Sequence, residues 1–246
     1  PGEFARMYGP ETVALPPNFM PEHPFDNGEL KIRDELLASF PRDPQDIRRQ
    51  IAEYYGMISH LDAQVGRILQ ALEESGLASQ TLVIFASDNG LAVGRHGLMG
   101  KQNLYEHSIR VPLILRGPGV EAGRRSDALV YLFDLFPTVA EWLDVPLPNG
   151  VEGKSLLPVL RGEVAEVRDA VYAAYRDWQR TVREKRFKLI RYHVGEDRHT
   201  HLFDLEQDPW ELHNLADRAE YQAERNRLER RLEALQAEWG DPAADF

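Results

Sequence analysis

The chain contains no cysteine, so disulfides are excluded and compartment cannot be read from thiol usage. No apolar run approaches the roughly 20 residues that span a bilayer, and no signal-peptide pattern is visible. Positive charge is in deficit as well. Acidic residues number 40 against 29 lysines and arginines, a net charge of −11. A nucleic-acid partner is therefore not expected, because phosphate binding needs a basic footprint.

What is present is ordinary for a folded protein: 246 residues, 43% of them hydrophobic, enough for one large domain or two smaller ones. Residues 1–42 are rich in proline and aromatics without a sustained period, and 16–29, PPNFMPEHPFDNGE, reads as an ordered loop with turns. Residues 44–75 read as a helix. Asp43 caps it, Pro44 suits its first position, and Ile47, Ile51, Tyr54, Ile58, Leu61, Val65, Ile68 and Leu72 form one apolar stripe. A helix leading directly into an apolar strand suggests a crossover packed on a sheet. Strands are expected at 81–86, 111–115 and 126–132, and a helix at 134–143 with Asp134 as its cap. After Gly162 the pattern shortens: 170–176, 180–184 and 187–193 suggest an antiparallel meander, and 219–238 a charged helix with Leu228, Leu232 and Leu235 on one face. The expected fold is α/β, part of a mixed, mostly parallel sheet flanked by helices. A small antiparallel sheet and a C-terminal helix follow it. Residues 1–165 are assigned to the main layer and 166–246 to the small subdomain.

The most informative segment is 84–118, IFASDNGLAVGRHGLMGKQNLYEHSIRVPLILRGP. An apolar strand ends in Ser87-Asp88-Asn89-Gly90, which delivers a carboxylate and an amide at its tip. Both are hard oxygen ligands, suited to Ca²⁺ or Mg²⁺. His96 and Lys101 follow, with Gly94, Gly97 and Gly100 letting the loop bend. Open α/β sheets bind ligands at this kind of place, outside the carboxyl ends of strands.

The words ASDNG at 86–90, HGLMGK at 96–101 and YEHSIRVPLI at 105–114 resemble the sulfatases, formylglycine-dependent members of the alkaline-phosphatase superfamily. So do FKLI at 187–190 and LFDLEQDPWELHNLA at 202–216. The resemblance implies that Asp88 and Asn89 belong to the metal set and that Lys101 contacts the sulfate and the leaving-group side. It places His96 at the substrate border as a catalytic candidate and His23, in Glu22-His23-Pro24-Phe25, on the substrate face. It implies Ca²⁺, with Mg²⁺ possible, a small sulfate ester or sulfated sugar as substrate, and a periplasmic or secreted location. The arginine-heavy basic set fits a GC-rich bacterial source. Although the net charge disfavours non-specific adhesion to sulfated polysaccharide, a local pocket of cation, lysine and histidine can still accept a sulfate ester.

The Cys/Ser-x-Pro-x-Arg motif that yields formylglycine is missing. In Ser39-Phe40-Pro41-Arg42 the arginine falls one position early, so Ser39 is rejected as nucleophile. The chain is read as the C-terminal half of a sulfatase, inactive alone. The formylglycine and the remaining metal ligands are expected in a missing N-terminal half, which is its partner. The alternatives are a phosphonate or phosphate ester hydrolase of the same superfamily, and a non-catalytic module that binds sulfated ligands or a partner.

Overall fold

The structure, a computed structural model, describes residues 2–242. Contacts divide the chain into two compact units: Pro1–Leu82 with Asn89–Val111, and Val83–Asp88 with Pro112–Phe246. This division does not coincide with the boundary at 165/166 read from composition.

The first unit is built on α1 (Pro44–Glu74). Asp43 caps it as expected, its carboxylate accepting from the Gln45 and Asp46 amides at 2.8 and 2.9 Å. Only the N-terminal part of its stripe is covered. Ile47, Ile51 and Ala52 are buried against Val13, Ala38, Val93 and Met99, all from loops. Further along, Ile58, Leu61 and Ile68 are 45%, 53% and 69% exposed. Gly56 lets the turn at Phe4–Arg6 approach, since a Cβ there would lie 2.6 Å from the Phe4 carbonyl oxygen. The segment before α1 is an internal strap. Asn18, His23, Asn27, Glu29, Glu35 and Arg42 are all buried along it. A short α2 (Glu106–Ile109) ends this unit.

In the second unit β1 (Val83–Ala86) pairs antiparallel with β2 (Leu113–Arg116), Val83 opposite Arg116 and Ala86 opposite Leu113. Parallel neighbours for these strands are not among the described residues. Residues 126–131 form no strand; the expected one gives way to an extended segment entering a 3-10 turn, Leu132–Asp134, and then α3 (Leu135–Trp142). Asp134 is not the simple helix cap its position suggested. It is fully buried, accepts from the Tyr131 and Lys154 amides at 2.7 and 2.8 Å, and takes both terminal nitrogens of Arg168. A single turn, α4 (Leu157–Leu160), follows.

The meander forms with one strand more than expected: β3 (Ala170–Tyr175), β4 (Gln179–Glu184), β5 (Phe187–Val194) and β6 (Asp197–Asp204), in that order. Helix α5 (Gln222–Glu238) lays Leu228, Leu232 and Leu235 on Val182, Leu189 and Leu202. Beside this core the Lys188 ammonium donates to Glu211 at 2.8 Å, both side chains almost wholly buried. His193, His199 and His201 lie on β5 and β6; His199 is opposite Tyr192 and His201 opposite Ile190.

Candidate functional site

Beyond β1 the chain passes Asp88, which is exposed, and Asn89, which is half-buried, before turning at Gly90. Gly90 donates its N–H to the Ser108 carbonyl at 2.9 Å, and a Cβ there would lie 1.9 Å from the His107 oxygen. Only glycine allows this approach, which pins Asn89 in place. The loop then doubles back. Rungs from the Ala92, Val93 and Gly94 amides to the Gly100, Met99 and Leu98 carbonyls zip its arms together. Left-handed backbone at Val93, Gly94, His96 and Gly97 makes the bend. The returning arm brings Lys101 to Asn89, and its ammonium donates to Asn89 Oδ1 at 3.0 Å. The Asn89 amide nitrogen donates to the Gly90 carbonyl at 2.9 Å, so the oxygen is the atom presented to the cation.

His96 is only 5% exposed. Its N–H donates to the Asn18 carbonyl at 2.7 Å, its Nε2 lies 3.0 Å from the Asn18 amide nitrogen, and its ring stacks on Tyr105 at 4.0 Å. The left-handed backbone of a non-glycine residue is held by these contacts. His23 is also buried. Its Nδ1 donates to the Phe25 carbonyl at 2.7 Å, and its Nε2 meets the Tyr105 hydroxyl at 3.2 Å. Gly97 lets the Glu22–His23 backbone approach the loop, since a Cβ there would lie 2.3 Å from the His23 backbone nitrogen. The fold thus brings Asn89 to Lys101, and His96 and His23 to opposite features of Tyr105.

Two charged residues beneath the loop went unnoticed in the sequence. Glu35 and Arg42 form an ion pair whose side chains are 4% and 0% exposed. Arg42 donates Nε to the Gly97 carbonyl at 3.0 Å, and Nη1 to the Glu35 and Ala38 carbonyls at 2.7 and 2.8 Å. The Glu35 carboxylate accepts from the Met99 and Gly100 amides at 2.9 and 2.8 Å. Burial pushes the guanidinium down from its ordinary value, and Glu35 partly restores it. At the rim, Gln102 donates to Asp34 at 2.9 Å and accepts from the Lys101 amide at 2.9 Å. The hydrogen bond from Gln102, then those from Arg33, hold the Asp34 carboxyl below the usual carboxylate range. The signal in the sequence is the Pro41-Arg42 pair, whose arginine falls one position early for the formylglycine motif. In the structure Ser39 donates to the Pro41 carbonyl at 3.4 Å, and Arg42 donates to the Gly97 carbonyl at 3.0 Å.

Among the described residues, no three histidine, aspartate or glutamate side chains gather as a complete metal site would require. Asp88 and Asn89 are hard-oxygen donors, and Asn89 Oδ1 already accepts from a cation. Each is the donor type that a hard cation such as Ca²⁺ or Mg²⁺ takes.

Comparison with known proteins identifies the family. A family model described as Sulfatase matches residues 16–145, and one described as N-sulphoglucosamine sulphohydrolase, C-terminal, matches residues 94–238. The chain belongs to the sulfatase family, whose members generally use a metal and formylglycine. It is 31% identical over 210 residues to an N-acetylglucosamine-6-O-sulfatase of Bacteroides thetaiotaomicron, covering 80% of this chain and 38% of that protein. It is 34% identical over 185 residues to human arylsulfatase K, covering 70% of this chain and 34% of that protein. The chain thus spans less than half the length of these relatives.

Among solved structures, BT4656 in complex with its substrate D-glucosamine-2-N,6-O-disulfate matches with a TM-score of 0.74 at 29% identity, over 89% of this chain and 45% of that one. The phosphonate monoester hydrolase of Agrobacterium radiobacter matches with a TM-score of 0.81 at 29% identity, over 97% of this chain and 54% of that one.

Proposed function

We propose that the complete protein hydrolyses a sulfate monoester, and that this chain supplies Asp88 and Asn89 to its metal site and Lys101 to its sulfate site. The observation that carries the reading is the 3.0 Å approach of the Lys101 ammonium to Asn89 Oδ1. It sets a fixed positive charge beside an oxygen suited to a hard cation. Ca²⁺ is the proposed metal, with Mg²⁺ second, because both take oxygen ligands. A bound divalent cation supplies charge neutralisation on the sulfuryl oxygens.

Lys101 donates to the same group and to the leaving oxygen, where negative charge grows during cleavage. Its loop is zipped and braced beforehand, so little reorganisation accompanies the reaction. In this reading His96 and His23 support the loop from beside Tyr105. Each is buried, and each has its ring nitrogens or faces taken up by Asn18, Phe25 and Tyr105. The nucleophile, a formylglycine, and the other metal ligands come from an upstream half of the same enzyme. Residues 1–165 then carry the catalytic contribution, and 166–246 form a supporting layer.

A sulfated amino sugar is the proposed substrate class, on the strength of the B. thetaiotaomicron relative and the disulfated glucosamine bound by BT4656. A second reading, phosphonate monoester hydrolysis, is supported by the match to the A. radiobacter enzyme over 97% of this chain. The test is an assay of the complete protein on paired aryl sulfate, aryl phosphate and phosphonate monoester, and on glucosamine 6-sulfate, before and after chelation of Ca²⁺. Faster turnover of the sulfates, lost on chelation and regained with Ca²⁺, is expected. Preference for the phosphonate ester would favour the second reading, and no turnover of any ester would overturn both.

A further inference from the structure

A charged pair buried in a protein without water needs a reason, since desolvation offsets much of its attraction. Glu35 and Arg42 lie under the loop that carries Lys101, and their hydrogen bonds are distributed unequally. Arg42 spends three donors on carbonyls: two in its own strap, at Glu35 and Ala38, and one across at Gly97. Glu35 directs both carboxylate oxygens at the loop, to the Met99 and Gly100 amides. Those are the two amides immediately before Lys101. Gly100 is shaped to this grip, since a Cβ there would lie 3.1 Å from both Glu35 Oε1 and Asp34 Cβ. Asp34 and Gln102 extend the same brace to the Lys101 amide itself.

From this arrangement we infer that Glu35, held by Arg42, is a positioning residue for Lys101: it fixes the backbone just ahead of the lysine so that the ammonium meets Asn89 and the substrate's sulfuryl group. The inference rests on the sulfatase reading of Lys101. It assigns a task to an ion pair whose side chains are 4% and 0% exposed. Replacing the Glu35 carboxylate by an amide leaves one loop N–H facing an NH₂ group, and the loop must shift to relieve it. A displacement of about 1 Å at a group that acts by position lowers rate by up to about 100-fold.

The experiment is a double-mutant cycle in the complete enzyme, with aryl sulfate as substrate, using Glu35→Gln, Lys101→Ala and the pair together. Glu35→Gln alone is expected to lower kcat by about 10- to 100-fold, within the range that misplacement costs. In the Lys101→Ala background the same substitution is expected to change kcat less than about twofold, because the residue through which it acts is gone. Thermal denaturation identifies a Glu35→Gln protein that does not fold. In that event Asp34→Asn, at the rim of the same brace, is carried through the same cycle, with a smaller loss that again vanishes without Lys101. Normal kcat in the brace variant, or a loss that multiplies in full on top of Lys101→Ala, would overturn the inference and leave the sulfatase reading standing. Near-normal turnover of Lys101→Ala alone would overturn both.

Discussion

Lys101 and Asn89 are 12 positions apart, and their side chains meet only because the loop between them closes on itself. The ammonium is exposed and adds little to the core, whereas in a sulfate site it opposes charge that grows during bond cleavage. Lys101→Ala in the complete enzyme is therefore expected to lower kcat/KM by about 10²–10³-fold, with the denaturation midpoint unchanged. Steady-state kinetics alongside urea unfolding check both halves of this statement. Asn89→Ala is expected to raise the Ca²⁺ concentration needed to restore activity after chelation, read from a titration of the stripped enzyme; an unchanged titration would remove Asn89 from the metal set.

Acidity gives a third residue-level test. Asp34 and Asp204 both have carboxyls held below the ordinary range, Asp34 chiefly by Gln102 and Asp204 chiefly by Arg186. A depressed folded pKa contributes stability that is fully present above the unfolded value, about 3.9, and is lost as pH falls through the folded value. Unfolding midpoints of this protein should therefore decline steeply below about pH 4, within the range set by those values. Asp204→Asn should flatten that acid limb while lowering stability at neutral pH. An acid limb of the same slope in the variant would show that other carboxylates govern it.

The helices show how differently one kind of pattern can be used. Both α1 and α5 present apolar residues at helical spacing. On α5 the row is fully used: Leu228 and Leu232 have no exposed surface and pack on the meander. On α1 only the first turns are covered, and Ile68 is left 69% exposed. Leu232→Ala is accordingly expected to destabilise this chain by about 2–5 kcal/mol, through lost burial and a cavity. In this chain without the proposed upstream half, Ile68→Ala should cost much less, since Ile68 is 69% exposed. Chemical denaturation of the two variants under identical conditions tests the contrast, and equal losses would contradict it. The strands were legible unevenly. β3, β4 and β5 alternate clearly. β6 does not, because its first half, Asp197-Arg198-His199-Thr200, is polar and is held as strand by pairing to β5. Residues 126–132 carried an apolar run that resembled a strand, but no partner strand lies alongside them among the described residues.

Apolar side chains are exposed within each unit, on the second half of α1 in one and at Phe85 (38%) and Ile114 (61%) in the other. We propose that an upstream half of the enzyme covers them. Residues 1–246 purified alone should show no aryl-sulfate turnover in Ca²⁺ and should self-associate, read by an activity assay and light scattering. A monomer with cooperative unfolding would defeat the structural part of this prediction, and turnover free of contaminating sulfatase would defeat the catalytic part.

Local chemistry was enough to read the Asp43 helix cap, the meander, the α5 face and the polar Asp88-Asn89 pair after the β1 strand. Each depends on neighbours in sequence: a carboxylate next to free amides, an alternation, a period, an apolar run that stops. The same reasoning could not show that Glu35 and Arg42 meet under the Lys101 loop, that His23 and His96 share Tyr105, or that Asp134 is drawn into a buried pair with Arg168. Those contacts join residues from 7 to 82 positions apart. Charged and imidazole side chains carry no periodic signal of burial. Whether such a group ends in solvent or as a brace is decided only when chain folding removes water and supplies its partners.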